Sequence, residues 1–349
     1  MKEEMSPMER VLSTLSFEEP DHVPFFLLLT VQGAREVGVS IKEYYSNPEY
    51  VARAQLRMQE RYGHDCLYSF YYAALELEAW GGKAIFYEDG PTNAGRPVIS
   101  SFEEIESLEA PSVPDTRKLQ KVLETTAILK ENVGDEIPII GVVMSPFSLP
   151  VMQLGFSSYL DLIYEAPEHF EALMQANEDF CVEWANAQLE AGATAICYFD
   201  PVSSTTIMPR EMYLKTGFEV AKRTLAKIKG PTGTHMASGR SLPILGDLIK
   251  TGTSIVGTST LEDLAEVKKA CEKQVTVMGN LNAIEMCRWT PETAESAVRT
   301  AISKAASGGG FILSDNHGEI PWQVPHEVLM DLSKAVKKWG RYPGEKTNE

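Results

Sequence analysis

Basic residues are few in this chain of 349 amino acids: 32 Lys and Arg stand against 49 Asp and Glu, a formal net charge of −17. Nucleic acids and anionic membrane surfaces are held by clustered Lys and Arg, so both are excluded as expected partners. Cysteine is scarce too. The five cysteines (Cys66, Cys181, Cys197, Cys271 and Cys287) are odd in number, and no two are spaced as CxxC. That excludes a disulfide framework and fits a reducing compartment. No apolar run approaches the roughly 20 residues that span a bilayer. The opening MKEEMSPMERVL lacks the apolar stretch of a signal peptide. The expectation is a soluble cytoplasmic protein. A composition of 44% hydrophobic and 23% charged residues excludes a disordered chain.

What is present is an alternation of short apolar runs with segments of helical periodicity, the pattern of a parallel sheet covered by helices. Eight runs read as strands: His22–Leu29, Cys66–Tyr72, Ile139–Met144, Ala193–Asp200, Pro231–Ala237, Ser254–Ser259, Val275–Leu281 and Gly310–Asp315. Between them, Phe170, Leu173, Met174, Cys181, Trp184 and Ala185 fall on one helical face. Val328, Leu329, Leu332, Ala335, Val336 and Trp339 fall on another. Pro167 and Pro209 mark helix starts, and Gly192, Gly252 and Gly340 follow helix ends. Gly308–Gly309–Gly310 precedes a strand and opens no helix, so it reads as a chain reversal and not a phosphate loop. Eight strand–helix units favour an α/β fold of the (β/α)8 TIM barrel type over two domains, although the length alone would allow two. The expected organisation is one barrel over residues 1–340, with an N-terminal helical extension and a hairpin excursion near 84–100. Residues 341–349 read as a polar tail.

In such barrels chemistry stands at the C-terminal ends of the strands. The second strand leads into LYSFYYAALELEAWGG, with Phe70, Tyr71, Tyr72, Glu76 and Glu78. The fourth ends at Asp200, the fifth at His235, and the seventh at Asn280 and Asn282; the eighth runs into Asp315, Asn316 and His317. Of six histidines, His235 and His317 close strands, while His169 and His326 fall in helix first turns and read as solvent-facing. Two histidines and a carboxylate from Glu76, Glu78 or Asp200 would make a divalent metal site. Asp200, Glu76 and Asp315 could equally be general acids or bases. Phe70, Tyr71, Tyr72, Tyr198, Phe199 and Trp322 could line a pocket for a planar ligand, or could simply fill the barrel and pack under helices.

The segments PDHVPFFLLLTVQGAREVGVSIKEYYSNPE, EAWGG, VVMSPFSLPVMQLGFSSYLDLIYEAPE, DPVSS, GTHMASG, VMGNLN and GGGFILSDNHGEIP together resemble the uroporphyrinogen decarboxylase superfamily over nearly the whole chain. The resemblance implies a (β/α)8 barrel. True decarboxylases in it carry an arginine-rich RQAGRY-type segment and an FSDIL-type segment with an aspartate. Here LLLTVQGAREVG and YSFYYAALEL stand instead, with Arg35 the one arginine kept. GVSIKEYYSNPE looks most like the other branch, the cobalamin-dependent methyltransferases. The resemblance to that branch implies methyl transfer between a small donor or acceptor and cobalamin carried on a separate corrinoid protein. Thiol-methylating members use zinc on a HxCG motif and a later Cys; this chain keeps His235, has Ala237 for the first Cys, and places His317 where the second would be.

A zinc ion on two histidines and one carboxylate keeps a formal charge of +1. That favours polarising an oxygen leaving group over activating a thiolate. The expectation is therefore O-demethylation of a methoxylated aromatic, with methylation of a thiol as the alternative and porphyrinogen decarboxylation behind both. His235, His317, Asp315 and Asp200 would be catalytic, and His235, His317, Glu76 and Glu78 would be metal ligands. The ring would be gripped by Phe70, Tyr71, Tyr72, Tyr198, Asn280, Asn282 and Trp322.

Overall fold

The computed structural model describes residues 4–342. Its strands are, in chain order, β1 (Leu67–Tyr68), the small β2 (Ala84–Ile85) and β3 (Asn93–Ala94), then β4 (Ile139–Met144), β5 (Ala195–Phe199), β6 (Thr232–His235), β7 (Ile255–Gly257), β8 (Thr276–Leu281) and β9 (Phe311–Asp315). Seven of them form one parallel sheet in the order β1-β4-β5-β6-β7-β8-β9, each joined to the next through helical segments. β2 and β3 pair antiparallel, Ala84 opposite Ala94, as the expected hairpin excursion.

The first expected strand is corrected. His22–Leu29 forms no ladder and makes isolated bridges, Phe25 to Leu313 in parallel and His22 to Arg341 in antiparallel sense. The segment still stands beside both outer strands: Phe26 N donates to Leu313 O at 2.9 Å, and Asp65 N, just before β1, donates to Phe25 O at 2.7 Å. Pro24 supplies no N–H, and Leu29 N turns back onto Leu27 O at 2.9 Å, so a regular ladder cannot run through. The sheet thus has seven strands where eight were expected. The 341–349 tail is corrected at its start: Tyr342 is buried and its hydroxyl donates to Ala306 O at 2.8 Å. The remainder, 343–349, lies outside the described residues.

Strand alternation sorts the apolar residues into two layers. Outside the sheet, Val143, Ile196, Tyr198 and Leu313 pack against the helices. Inside it, Phe26, Cys66, Tyr68, Ile140, Val142, Met278 and Ile312 pack against one another. The helix Pro167–Glu190 starts with proline at its first turn and buries the whole expected face, including Phe170 and Trp184. The helix His326–Trp339 buries its expected face except Trp339, which is exposed and donates from Nε1 to Glu295 at 2.9 Å. The N-terminal helix Pro7–Leu15 opens on a capping box between Ser6 and Glu9. Its buried Arg10 reaches Asp21 at 2.8 Å and Asp65 at 2.5 Å, which fixes the helix to the N-terminal end of the parallel strands.

Candidate active site

A cavity of about 290 Å³ runs through the interior of the sheet. Its walls follow from strand parity. Ile140, Val142 and Met144 of β4, Ala195, Cys197 and Phe199 of β5, Gly233 and His235 of β6, Ile255 of β7 and Met278 of β8 all reach it. Phe26, Leu28, Tyr68 and Phe70 complete the apolar wall, and Pro91 of the β2–β3 hairpin lies against it. Polar groups gather at the C-terminal end of the strands: His235, Ser314, Asp315, His317 and Glu319. Among the described residues no lysine or arginine lines this cavity.

The two histidines are neutral. Nδ1 of His235 accepts from Ala237 N at 3.0 Å, which leaves the ring proton on Nε2. Its ring stacks on Phe199 with centroids 5.5 Å apart. Burial, with a smaller contribution from His317, pulls His235 down to about 4. Burial lowers His317 as well. The carboxyls shift the other way. Burial pushes Asp315 up to about 7. The backbone amides of Leu28 and His317 favour its charged form, but too weakly to offset burial. Burial likewise pushes Glu319 up to about 7, although Thr30 donates to its Oε2 at 2.7 Å. The rim therefore offers two acids able to hold or release a proton near neutral pH beside two uncharged imidazoles.

The other expected residues lie elsewhere. Asp200 is buried beneath the β4–helix loop, where its Oδ1 accepts from Ser145 at 2.6 Å and Ser148 at 2.7 Å. Tyr198 points to the outer face of β5, into the layer under the helices. Tyr71 hydrogen-bonds Thr125 at 2.8 Å, and Tyr72 donates to Glu78 at 2.9 Å; both rings pack on Tyr45. Glu76 accepts from Met144 N at 2.9 Å and is pushed by burial up to about 8. Glu78 pairs with Lys118. Asn280 and Asn282 line a separate cleft beside Trp289, with Asn280 donating to Ser259 O at 2.9 Å. Trp322 carries the Arg35 guanidinium 3.6 Å above its ring. His326 is exposed and bonds Tyr62 at 2.9 Å, and His169 lies 3.6 Å from Glu106.

The cavity therefore brings together Phe70, Phe199, His235, Asp315 and His317 and leaves the rest outside. The expected ligands do not converge: among the described residues no three His, Cys, Asp or Glu side chains form a group that could hold a metal ion. Glu76 is tied to the end of β4 and Glu78 to Lys118, so the proposed zinc set does not fit this chain. Glu319 was missed, although it stands only four residues beyond the end of the eighth strand; so were Thr30 and the inward residues of β4. Counting strand parity back from each rim residue would have found the inward set.

The family described as Uroporphyrinogen decarboxylase (URO-D) matches residues 6–339. A methylcobamide:CoM methyltransferase MtaA of Methanosarcina barkeri is 26% identical over 284 residues, covering 78% of this chain and 82% of that protein. A uroporphyrinogen decarboxylase of Xylella fastidiosa is 23% identical over 357 residues, covering 95% and 99%. Among solved structures, a methyltransferase from Methanosarcina mazei superposes with a TM-score of 0.85 at 21% identity, covering 96% of this chain and 99% of that one. No helix among the described residues is long and apolar enough to cross a membrane.

Proposed function

Because the chain belongs to the uroporphyrinogen decarboxylase family, we propose that it is a corrinoid-dependent methyltransferase that takes the methyl group of a methoxylated aromatic and passes it to the cobalt of a separate corrinoid protein. The observation that carries this reading is the composition of the cavity: apolar along its depth, without Lys or Arg, and closed at the rim by two carboxyls of raised pKa and two neutral histidines. A porphyrinogen with several carboxylates would meet no cation there, and an anionic thiol acceptor would meet none either. An aryl methyl ether meets apolar walls for its ring and an acid for its oxygen.

The chemistry asked of these residues is small. The methyl leaves as the cobalt's electron pair attacks it, and the carbon–oxygen pair stays with the phenolate. Asp315, protonated near neutral pH, delivers a proton to that oxygen. His235 Nε2–H and His317 orient the methoxy oxygen, and Phe70 and Phe199 hold the ring. The walls exclude water, which strengthens each of these contacts. Incubation with a Co(I) corrinoid protein and a panel of methoxyarenes and methylamines tests the reading. The methyl–Co(III) spectrum is expected with methoxyarenes. No spectral change with any donor overturns the reading, and a change with methylamines alone reassigns the donor.

A further inference from the structure

TIM barrels ordinarily fill their interior with bulky branched side chains, layer upon layer. This one does not. At the deep end of the cavity, Ala195 and Cys197 on β5 and Gly233 on β6 stand at inward positions. Ala195 and Cys197 are only partly buried, because they face open space, while the alternating Ile196 and Tyr198 are fully buried. The cavity runs from Ala195, the first residue of β5, to Phe199, the last, a span of about 13 Å at the rise of a parallel strand. A dry cavity of about 150 Å³ is enough to bind benzene. The volume here is 290 Å³, so a ring seated at the rim leaves a comparable space beneath it. The charged and imidazole groups, His235, Asp315, His317 and Glu319, are at the rim with Ser314; the deep walls are Ile140, Ala195, Cys197, Ile255 and Met278, with the Tyr68 ring, in register with Ile140, bringing the one hydroxyl among them. Burial pushes the Cys197 thiol up to about 12, so it serves there as a small apolar group and not a nucleophile.

We propose that the barrel interior is a subsite for an apolar chain: the substrate is a methoxyarene carrying an alkyl substituent of several carbons opposite its methoxy group, with the chain inserted past Ala195 and Cys197. This rests on the methyl-transfer reading for the placement of the methoxy end at the rim. The alkyl chain enters a space that water fills poorly, and each buried methylene tightens binding about fourfold. A carboxylate at the same ring position would be driven into a cavity without a cation and is rejected.

Isothermal titration of the whole protein with a series of 4-alkylanisoles, without any corrinoid protein, tests the subsite apart from catalysis. Affinity is expected to rise about fourfold per carbon from methyl to propyl and then level as the cavity fills. 4-Methoxybenzoate is expected to bind at least tenfold more weakly than 4-methylanisole. Ala195→Leu is expected to abolish the gain from methyl to propyl. Ile255→Ala, which enlarges the same end, is expected to move the plateau to a longer chain; circular dichroism confirms that each variant is folded. Binding of anisole with no dependence on chain length overturns the subsite and leaves the methyl-transfer reading standing. No binding of any methoxyarene overturns both.

Discussion

Asp315 shows how one residue acquires a role from its surroundings. An aspartate on the surface is charged at neutral pH; this one, buried at the end of β9, is held up to about 7 because burial outweighs the backbone amides of Leu28 and His317 beside it. Methyl transfer is expected to fall as pH rises through about 7, because only the protonated acid can serve the leaving oxygen. Asp315→Asn is expected to lower the rate about 10²–10⁴-fold and to flatten that pH profile, measured as methyl–Co(III) formation. If Glu319→Gln produces both effects and Asp315→Asn neither, Glu319 is the proton donor. Residue type at a strand end was legible in the sequence for His235, Asp315 and His317. Side-chain direction was not: Tyr198 and Phe199 are neighbours of similar character, yet one faces the helices and the other the cavity. One step of strand register decides between them.

Elements set the positions that these residues occupy. The N-terminal helix Pro7–Leu15 is held by Arg10, whose guanidinium is buried between Asp21 and Asp65. Burial outweighs that pairing at Asp65, which is pushed up to about 6, while Asp21 is drawn down to about 2 with the Arg10 hydrogen bond opposing its burial. Arg10→Ala leaves two buried carboxyls without their cation and is expected to cost about 3–5 kcal/mol in a urea unfolding titration. A change below 1 kcal/mol would mean that the clamp is not what docks the helix. The glycine triplet shows a local signal that sufficed: Gly308, Gly309 and Gly310 have φ of 78°, 68° and 63°. A Cβ on Gly309 would stand 2.4 Å from Glu18 O. The first strand shows a signal that misled, since an apolar run with Pro24 in it reads as a strand but cannot pair as one. The hairpin was legible as an excursion, but its contribution of Pro91 to the cavity wall was not.

For the whole molecule, buried ionisable groups and net charge act in the same direction. Burial raises five carboxyls (Asp65, Glu76, Asp200, Asp315 and Glu319), all but Asp200 to between about 6 and 8, against four histidines that it lowers (His22, His64, His235 and His317), His64 and His235 to about 3 and 4. Between about pH 4.5 and 6 the folded chain keeps the carboxyl protons that the unfolded chain has released, while the unfolded chain takes up protons on the four histidines. The carboxyls outnumber the histidines, so the folded state binds more protons and stability falls as pH rises through the folded pKa values. Self-repulsion in a chain of charge −17 also grows with pH above the isoelectric point of about 4.9. The urea midpoint is therefore expected to be higher at pH 5.5 than at pH 8; the reverse order would show that paired surface charges dominate instead.

Local sequence alone specified a parallel α/β architecture, seven of its eight expected strands in order, and the strand ends at which His235, Asp315 and His317 stand. Periodicity and strand-end position are local properties, written in adjacent residues. Only the tertiary structure decided that seven strands and a proline-interrupted segment form the wall and that Glu319 joins Asp315. It also decided that Glu76, Glu78 and Asp200 are held away from the histidines, and that Ala195, Cys197 and Gly233 leave the interior open. Those outcomes depend on which side chains from distant strands face one another. Burial, which sets the pKa values at the rim, arises only once they do.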